Sequence, residues 1–246
     1  MLNGQFAFAI WDTEEESLFI ARDRVGIRPL FYHHQNGVFT FGSEIKSILE
    51  NSSIKASLSN KNLSQVFTFW TTITPNTVFE DIYELPPGHF LFLKNNTLEI
   101  KKYWELSFHQ DNSIRSIDEA VEGLNEIFTD SVRIRLRADV MVAAYLSGGI
   151  DSSATVSYIN QIEPSVLNTF SIGCSDKDFD ETDFQKQAAG YFNTKHLSVS
   201  INSKDIAELF PEVIWHSEIP LIRTAPAPMH RLSKLVRANG IKVVIT

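Results

Sequence analysis

What most constrains this chain is a change, part-way along, in the period of its apolar residues. Through about residue 105 they fall in short runs separated by turn signals, and from Ser116 onward strand-like runs alternate with helical ones. Short runs joined by tight turns make antiparallel pairs, whereas strands joined through helices make a parallel sheet covered on both faces. A chain of 246 residues is long enough for two such cores. We therefore expect two domains, 1–105 and 116–246. The linker is 106–115, centred on the polar, aperiodic His109-Gln110-Asp111-Asn112-Ser113.

In the first part, runs at 6–11 and 18–21 flank the acidic turn Asp12-Thr13-Glu14-Glu15-Glu16. Runs at 30–33 and 38–41 flank Gln35-Asn36-Gly37, where Asn-Gly favours a two-residue hairpin turn. Pro86-Pro87-Gly88 opens a further hairpin, 89–93 with 98–103, turning at Asn95-Asn96. Helices are expected at 44–50 and 60–70, the second capped by Ser59. Arg22, Asp23 and Arg28 surround a turn at Gly26, the pattern of an ion-paired corner. His33 and His34 are neighbours in a strand, so they face opposite sides, and no metal-ligand set accompanies them. Trp11, Trp70, Trp104 and Trp215 are scattered and read as core.

In the second part, Ser116-Ile117-Asp118-Glu119 is a capping-box pattern, and Ile117, Val121, Leu124, Phe128 and Val132 follow at helical spacing. Then come strand 140–146, helix 151–160, strand 166–172, helix 181–192, strand 196–200, helices 203–215 and 227–238, and strand 241–245. Gly240 stops the last helix. Ligands of such sheets bind beyond the strand carboxyl ends, where the strand order reverses. At the end of the first strand stands Ser147-Gly148-Gly149-Ile150-Asp151-Ser152-Ser153. Its glycines let the backbone approach a ligand, and the amides that follow belong to a helix N-terminus with unpaired donors and partial positive charge. That is a place to hold phosphate. No Lys stands in the G-x-x-x-x-G-K-[ST] spacing, so it is not a Walker loop. Without a ligand the same residues would make a tight turn capped by serine.

Composition narrows the partners. A net charge of −8 and a pI near 5.4 argue against nucleic acid. The local cluster Arg133, Arg135 and Arg137 also suits a helix C-terminus. No apolar run is long enough to span a bilayer, and the opening residues read as a strand, not a signal peptide. Cys174 is the single cysteine, which excludes an intrachain disulfide framework and points to a reducing, cytoplasmic setting. Behind Gly173 at a strand end, it reads as a buried, inert thiol.

The motifs themselves resemble known ones. Leu146 to Ser153, L-S-G-G-I-D-S-S, resembles the pyrophosphate loop of the N-type ATP pyrophosphatases. Gly4-Gln5-Phe6-Ala7-Phe8-Ala9-Ile10-Trp11-Asp12, the segment Arg22 to Leu30 (R-D-R-V-G-I-R-P-L) and Gly42-Ser43-Glu44-Ile45-Lys46 resemble the later part of a class II glutamine amidotransferase domain. Leu85-Pro86-Pro87-Gly88-His89, Tyr103-Trp104, Pro220 to Met229 and Gly240-Ile241-Lys242-Val243-Val244 are similar to segments of glutamine-hydrolysing asparagine synthetases of the bacterial B type. The fold implied is α+β, then α/β. The C-terminal part of an antiparallel β-rich amidotransferase sandwich is followed by the N-terminal part of a doubly wound parallel-sheet ATP pyrophosphatase domain. Asp139-Val140-Met141-Val142-Ala143 departs from the family's D-V-P-V-G. The family's N-terminal nucleophilic cysteine and glutamine-binding motifs have no counterpart, since Leu2 follows Met1, and its S/T-G-E-G-x-D-E loop would begin at Thr246. The expectation is a chain truncated at both ends, lacking the glutaminase nucleophile and inactive alone.

The resemblance implies an ATP-dependent amide ligase whose substrates are aspartate, ATP, and glutamine or ammonia, with Mg²⁺ as cofactor. Asparagine would form through β-aspartyl-AMP. The Ser147 hydroxyl and the amides of Gly149, Asp151 and Ser152 would hold the β,γ-phosphates around the Gly148 turn, with Ser153 supporting the loop. Asp151 would bind Mg²⁺; the alternative for its carboxylate is a helix N-cap. Leu146 and Ile172 would pack against adenine, and Arg223 would contact phosphate or carboxylate. Asp180-Glu181 reads as compensation of a helix dipole, and direct glutamine contact is the rival role for the Arg22 corner. Other functions in view are a β-lactam-forming or peptide-modifying amidotransferase-linked ATP pyrophosphatase and a non-catalytic ATP-binding fragment. Exposed apolar faces are expected to make the chain homodimerise or aggregate.

Overall fold

A computed structural model describes residues 2–108, 114, 116–175 and 180–246; most of the expected linker, 109–113 and 115, lies outside the described residues. Contacts divide the chain into two units, 1–109 with 214–222, and 110–213 with 223–246.

The first unit holds β1 (Ala7–Asp12), β2 (Ser17–Arg22), β3 (Phe31–Gln35), β4 (Val38–Gly42), α1 (Ile45–Leu49), α2 (Asn60–Phe69), β5 (Tyr83–Glu84), β6 (His89–Lys94) and β7 (Thr97–Lys102). They form two antiparallel sheets, β1-β2-β6-β7 and β4-β3-β5. Alternation along β2 sends Leu18 and Ile20 inward, where Ile20 and Leu91 pack with Tyr32, Leu30 and Leu85 between the sheets. Phe19 faces the other way, and its ring stands 6.1 Å from Phe8 and 5.3 Å from Phe90. Asn36 and Gly37, at φ +52° and +77°, form the expected two-residue turn, as do Asn95 and Asn96 at +49° and +60°. The two-residue strand β5 carries no pattern of its own in the sequence.

Two expectations about this unit fail. Ser59 occupies the N-cap of α2, but its hydroxyl makes no cap bond; its carbonyl accepts the Leu63 N–H at 2.8 Å. The tryptophans are not core: Trp11, Trp70 and Trp215 are each more than half exposed. The Arg22–Asp23 corner is structural. Arg22 is buried and donates to Glu84 Oε1 (2.6 Å) and to the carbonyls of Leu85 (2.7 Å), Arg28 (2.8 Å) and Gly26 (2.8 Å). Asp23 is also buried and accepts the N–H groups of Val25, Ile27 and Arg28 at 3.0–3.2 Å. Burial pushes its carboxyl upward, but these backbone donors and that of Gly26 outweigh it and hold it below the usual carboxylate range. His33 and His34 are satisfied by the Asp81 carbonyl and by Asn96.

Residues 214–222 pack within this unit. The Glu218 carboxylate accepts the backbone N–H groups of Ile45 and Lys46, both at 2.6 Å, and so caps α1 from far along the chain.

The second unit holds α3 (Ile117–Arg135), β8 (Val142–Tyr145), α4 (Ile150–Ile162), β9 (Asn168–Cys174), α5 (Thr182–Tyr191), β10 (Lys195–Ile201), most of α6 (Ser203–Ser217), α7 (Pro226–Ala238) and β11 (Val243–Ile245). Ser116 caps α3 by accepting the Glu119 N–H at 3.1 Å, and Gly240 follows α7 at φ +75°. The sheet is wholly parallel in the order β10-β9-β8-β11. One face packs Ala144 and Leu146 against Val132 of α3, Val156 and Ile159 of α4 and Ala189 of α5. The other packs Ala143 and Phe170 against Leu232 and Val236 of α7. Helices cover both faces, the arrangement expected of a doubly wound sheet.

Candidate phosphate-binding site

From β8 the strand order runs both ways, through β9 and β10 on one side and to β11 on the other. The carboxyl end of β8 is therefore the switch point, where no crossover covers the sheet edge and a ligand can reach it. The last ladder bond there runs from the Leu146 N–H to the Phe170 carbonyl at 3.0 Å. The chain then turns through Ser147, Gly148 and Gly149 into α4.

The two glycines do different work. Gly148 sits at φ +84°, and a Cβ there would lie 2.8 Å from Phe184 C and Cβ and 2.9 Å from Gln185 N, so the loop packs its backbone directly on the first turns of α5. Gly149 has φ −77°, is the N-cap of α4, and would bring a Cβ near only the Ser147 hydroxyl, at 3.3 Å. The loop also holds itself. Ser147 N–H donates to Ser152 Oγ (3.2 Å), the two serine hydroxyls lie 2.9 Å apart, and Gly149 N–H donates to Ser147 Oγ (3.2 Å). The first intrahelical bond is Ser153 N–H to the Gly149 carbonyl at 3.1 Å. Ser153 thus spends its amide inside the helix. The amides of Ile150, Asp151 and Ser152 precede that bond and point out of the N-terminus of a 13-residue helix.

Asp151 is exposed in the first turn of α4 and is not the N-cap. Among the described residues, no three His, Cys, Asp or Glu side chains are grouped to hold a metal ion. A lone carboxylate fits Mg²⁺ shared with phosphate oxygens and does not fit an all-protein cage. Leu146 is fully buried in the core and spends its N–H on the Phe170 carbonyl, so, against expectation, it does not present its side chain to a ligand. β9 runs past the end of β8, since Tyr145 pairs with Phe170, and half-buried Ile172 lies beyond the last paired residue. Arg223 is exposed, three residues before α7. Asp180 does more than offset a dipole. It accepts the Thr182 hydroxyl (2.5 Å) and the amides of Thr182 (3.2 Å) and Cys174 (3.4 Å), tying the start of α5 to the end of β9. The Thr182 hydroxyl, foremost among these contacts, holds its carboxyl below the usual range. Cys174 is only half-buried.

The model of the family described as asparagine synthase matches residues 123–246, half of the chain. The chain belongs to the asparagine synthase family. A second model, the glutamine amidotransferase domain, matches residues 1–104. Asparagine synthetase [glutamine-hydrolyzing] 3 of Bacillus subtilis is 36% identical over 234 residues, covering 89% of this chain and 38% of that protein. Amidase chyE of Penicillium rubens is 33% identical over the full chain and 38% of its own length. A putative asparagine synthetase of Methanocaldococcus jannaschii is 32% identical over 96% of the chain and 46% of its own length. The chain thus spans less than half of each of these relatives. A solved glutamine-dependent NAD+ synthetase from Acinetobacter baumannii, in complex with ADP, aligns with 97% of the chain and 59% of that protein at 13% identity. Its TM-score is 0.35.

Sequence reading found the loop but passed over Ser171, Gln185 and His196, which pack behind it. The only signal is Ser171, a polar residue between Phe170 and Ile172 in a strand that the periodicity marks as buried; Gln185 and His196 lie on other elements and carry none of their own.

Proposed function

We propose that the second unit binds Mg-ATP through the loop Ser147–Ser153 and belongs to a ligase that adenylates a carboxylate, in the first instance aspartate, and passes the acyl group to ammonia drawn from glutamine. The observation that carries this reading is the set of three helix-terminal amides, Ile150, Asp151 and Ser152, at the switch point of the parallel sheet. The β- and γ-phosphates lie over these amides, with the Ser147 hydroxyl beside them. Ile172 offers backbone groups to the adenine edge, and Arg223 contacts phosphate or carboxylate. Asp151 would hold Mg²⁺, which neutralises phosphate charge when bound.

In the adenylation step, a carboxylate oxygen attacks the α-phosphorus. The new O–P bond forms as the bond to the β-phosphate oxygen breaks, and pyrophosphate leaves with the electron pair. The loop amides and the dipole of α4 stabilise the charge that grows on that leaving group. Ammonia then attacks the acyl carbon, AMP departs, and the nitrogen loses a proton to give the amide.

A specific observation keeps a second reading in view. The amidase-named relatives of Penicillium rubens and Gibberella zeae are 33% and 34% identical over the full chain, as near as the asparagine synthetases. The second reading is the same chemistry on a different carboxylate. Asp151→Ala tests the shared core. Mg-ATP affinity measured by calorimetry is expected to fall about tenfold or more, and unchanged affinity would remove the metal role. Conversion of ATP to AMP and pyrophosphate, stimulated by aspartate, supports the first reading; stimulation by another carboxylate and not by aspartate supports the second.

A further inference from the structure

Behind the glycine loop lies a line of polar groups, buried at its centre, whose hydrogen bonds run in one direction when His196 is neutral. Gln185 is 2% exposed, Ser171 3% and Thr169 0%. The Gln185 carbonyl oxygen can only accept, so the Ser171 hydroxyl donates to it, at 2.7 Å. Having spent its proton, Ser171 must accept from His196 Nε2 at 3.0 Å, which puts the imidazole proton on that nitrogen. In the neutral imidazole His196 Nδ1 then accepts from the Thr169 hydroxyl at 2.9 Å, and Thr169 accepts from the Thr194 hydroxyl at 2.8 Å. The line ends with the Gln185 side-chain NH₂, now fixed in orientation, donating to the Ile172 carbonyl at 2.8 Å.

The acceptor at that end matters. In a parallel strand the peptide groups of residues two apart point the same way, so the Ile172 carbonyl points as the Phe170 carbonyl does, toward β8. Phe170 meets the Leu146 N–H there, but β8 ends at that bond. Gln185 takes the place of the strand partner that Ile172 lacks. The backbone nitrogen of the same residue is one of the atoms against which Gly148 packs. Gln185 thus touches both parts of the candidate site, the end of β9 by its side chain and the phosphate loop by its backbone.

We propose that Gln185 is a positioning residue for the nucleotide: through its amide it fixes the backbone of Ile172 at the adenine end of the site while its main chain supports Gly148, with Ser171 and His196 holding the amide in register. This rests on the reading of the loop as a phosphate site. A purely structural role would weaken all ligands alike; a positioning role through Ile172 separates adenine from phosphate.

The test is calorimetry on the full chain with Mg-ATP and with Mg-pyrophosphate, which lacks the base. Gln185→Met keeps the length of the side chain and removes both hydrogen bonds. It is expected to weaken Mg-ATP at least tenfold while Mg-pyrophosphate stays within threefold. Ser171→Ala, a smaller change that keeps the test open if the first variant fails to fold, is expected to weaken Mg-ATP at least threefold with the same separation. Folded variants that bind Mg-ATP within threefold of the parent, or that lose both ligands equally, would overturn the positioning role and leave the loop reading intact. A parent chain that binds neither ligand would overturn both.

Discussion

Gly148→Ala separates what the two loop glycines do. At φ +84° an alanine must adopt the left-handed conformation, which costs a residue with a Cβ about 1–2 kcal/mol. Its methyl would also stand 2.8 Å from the backbone carbon of Phe184 and 2.9 Å from the backbone nitrogen of Gln185, and neither can swing aside as a side-chain tip can. Overpacking of that kind adds about 1–3 kcal/mol. The sum, about 2–5 kcal/mol, would lower the urea midpoint of the second unit by about 1 M or more at ~2 kcal/mol per M. Gly149→Ala adopts an ordinary φ and meets one hydroxyl, so stability should stay within about 0.5 kcal/mol of the parent. The assay must be chosen with care. All four tryptophans lie in the first unit, so their fluorescence does not watch this loop. Ellipticity at helical wavelengths does, because most of the helical residues lie in the second unit, and hydrogen exchange in segments covering β8 to β9 localises the effect. If Gly148→Ala unfolds with the parent's midpoint, the close packing of loop on α5 is wrong.

His196 is held below its ordinary pKa by burial. Its neutral form is the one the fold accommodates, so its contribution is fully present above the unfolded value of about 6.5 and is lost as pH falls toward the lower folded value. The second unit should therefore lose stability between pH 7.5 and 5.5, more steeply than in His196→Gln; equal slopes would refute this. Arg22→Ala removes the buried member of a partly buried ion pair and three carbonyl contacts, an expected loss of about 2–4 kcal/mol in the first unit. Tryptophan fluorescence reads this one directly, and a shift under about 1 kcal/mol would contradict the corner's role. Ile117, Val121 and Leu124 line an exposed apolar stripe on α3, and self-association is expected through it. Light scattering should give a lower mass for the double variant Ile117→Lys, Leu124→Lys than for the parent, and a monomeric parent would end that expectation.

Local chemistry was legible in the sequence where one short segment carries the whole signal. Asn36-Gly37 and Asn95-Asn96 fold as the turns their left-handed preference dictates, Ser116 caps α3, and Gly240 closes α7. The strand–helix alternation gave the doubly wound sheet because each period belongs to a single element. What escaped was non-local. Glu218 caps α1 through residues more than 170 positions earlier, and no local pattern marks a carboxylate as the cap of a distant helix. Ser59 stands where a cap should, yet its hydroxyl makes no cap bond. Size and hydrophobicity favour burial of tryptophan, whereas the small core of the first unit leaves Trp11, Trp70 and Trp215 outside it. At the site, the glycines and Asp151 were legible as a motif. The Gln185 line was not, since four of its members come from two strands and a helix that only the folded sheet brings together.

The central claim is that the amides opening α4 hold phosphate. Backbone amide resonances of the isotopically labelled full chain, followed as Mg-pyrophosphate is added, address it most directly. The expected result is saturable movement of the Ile150, Asp151 and Ser152 signals, reproduced by Mg-ATP, with Ser153 less affected because its amide is already bonded within the helix. Saturation by Mg-ATP that leaves those three signals in place would contradict the claim.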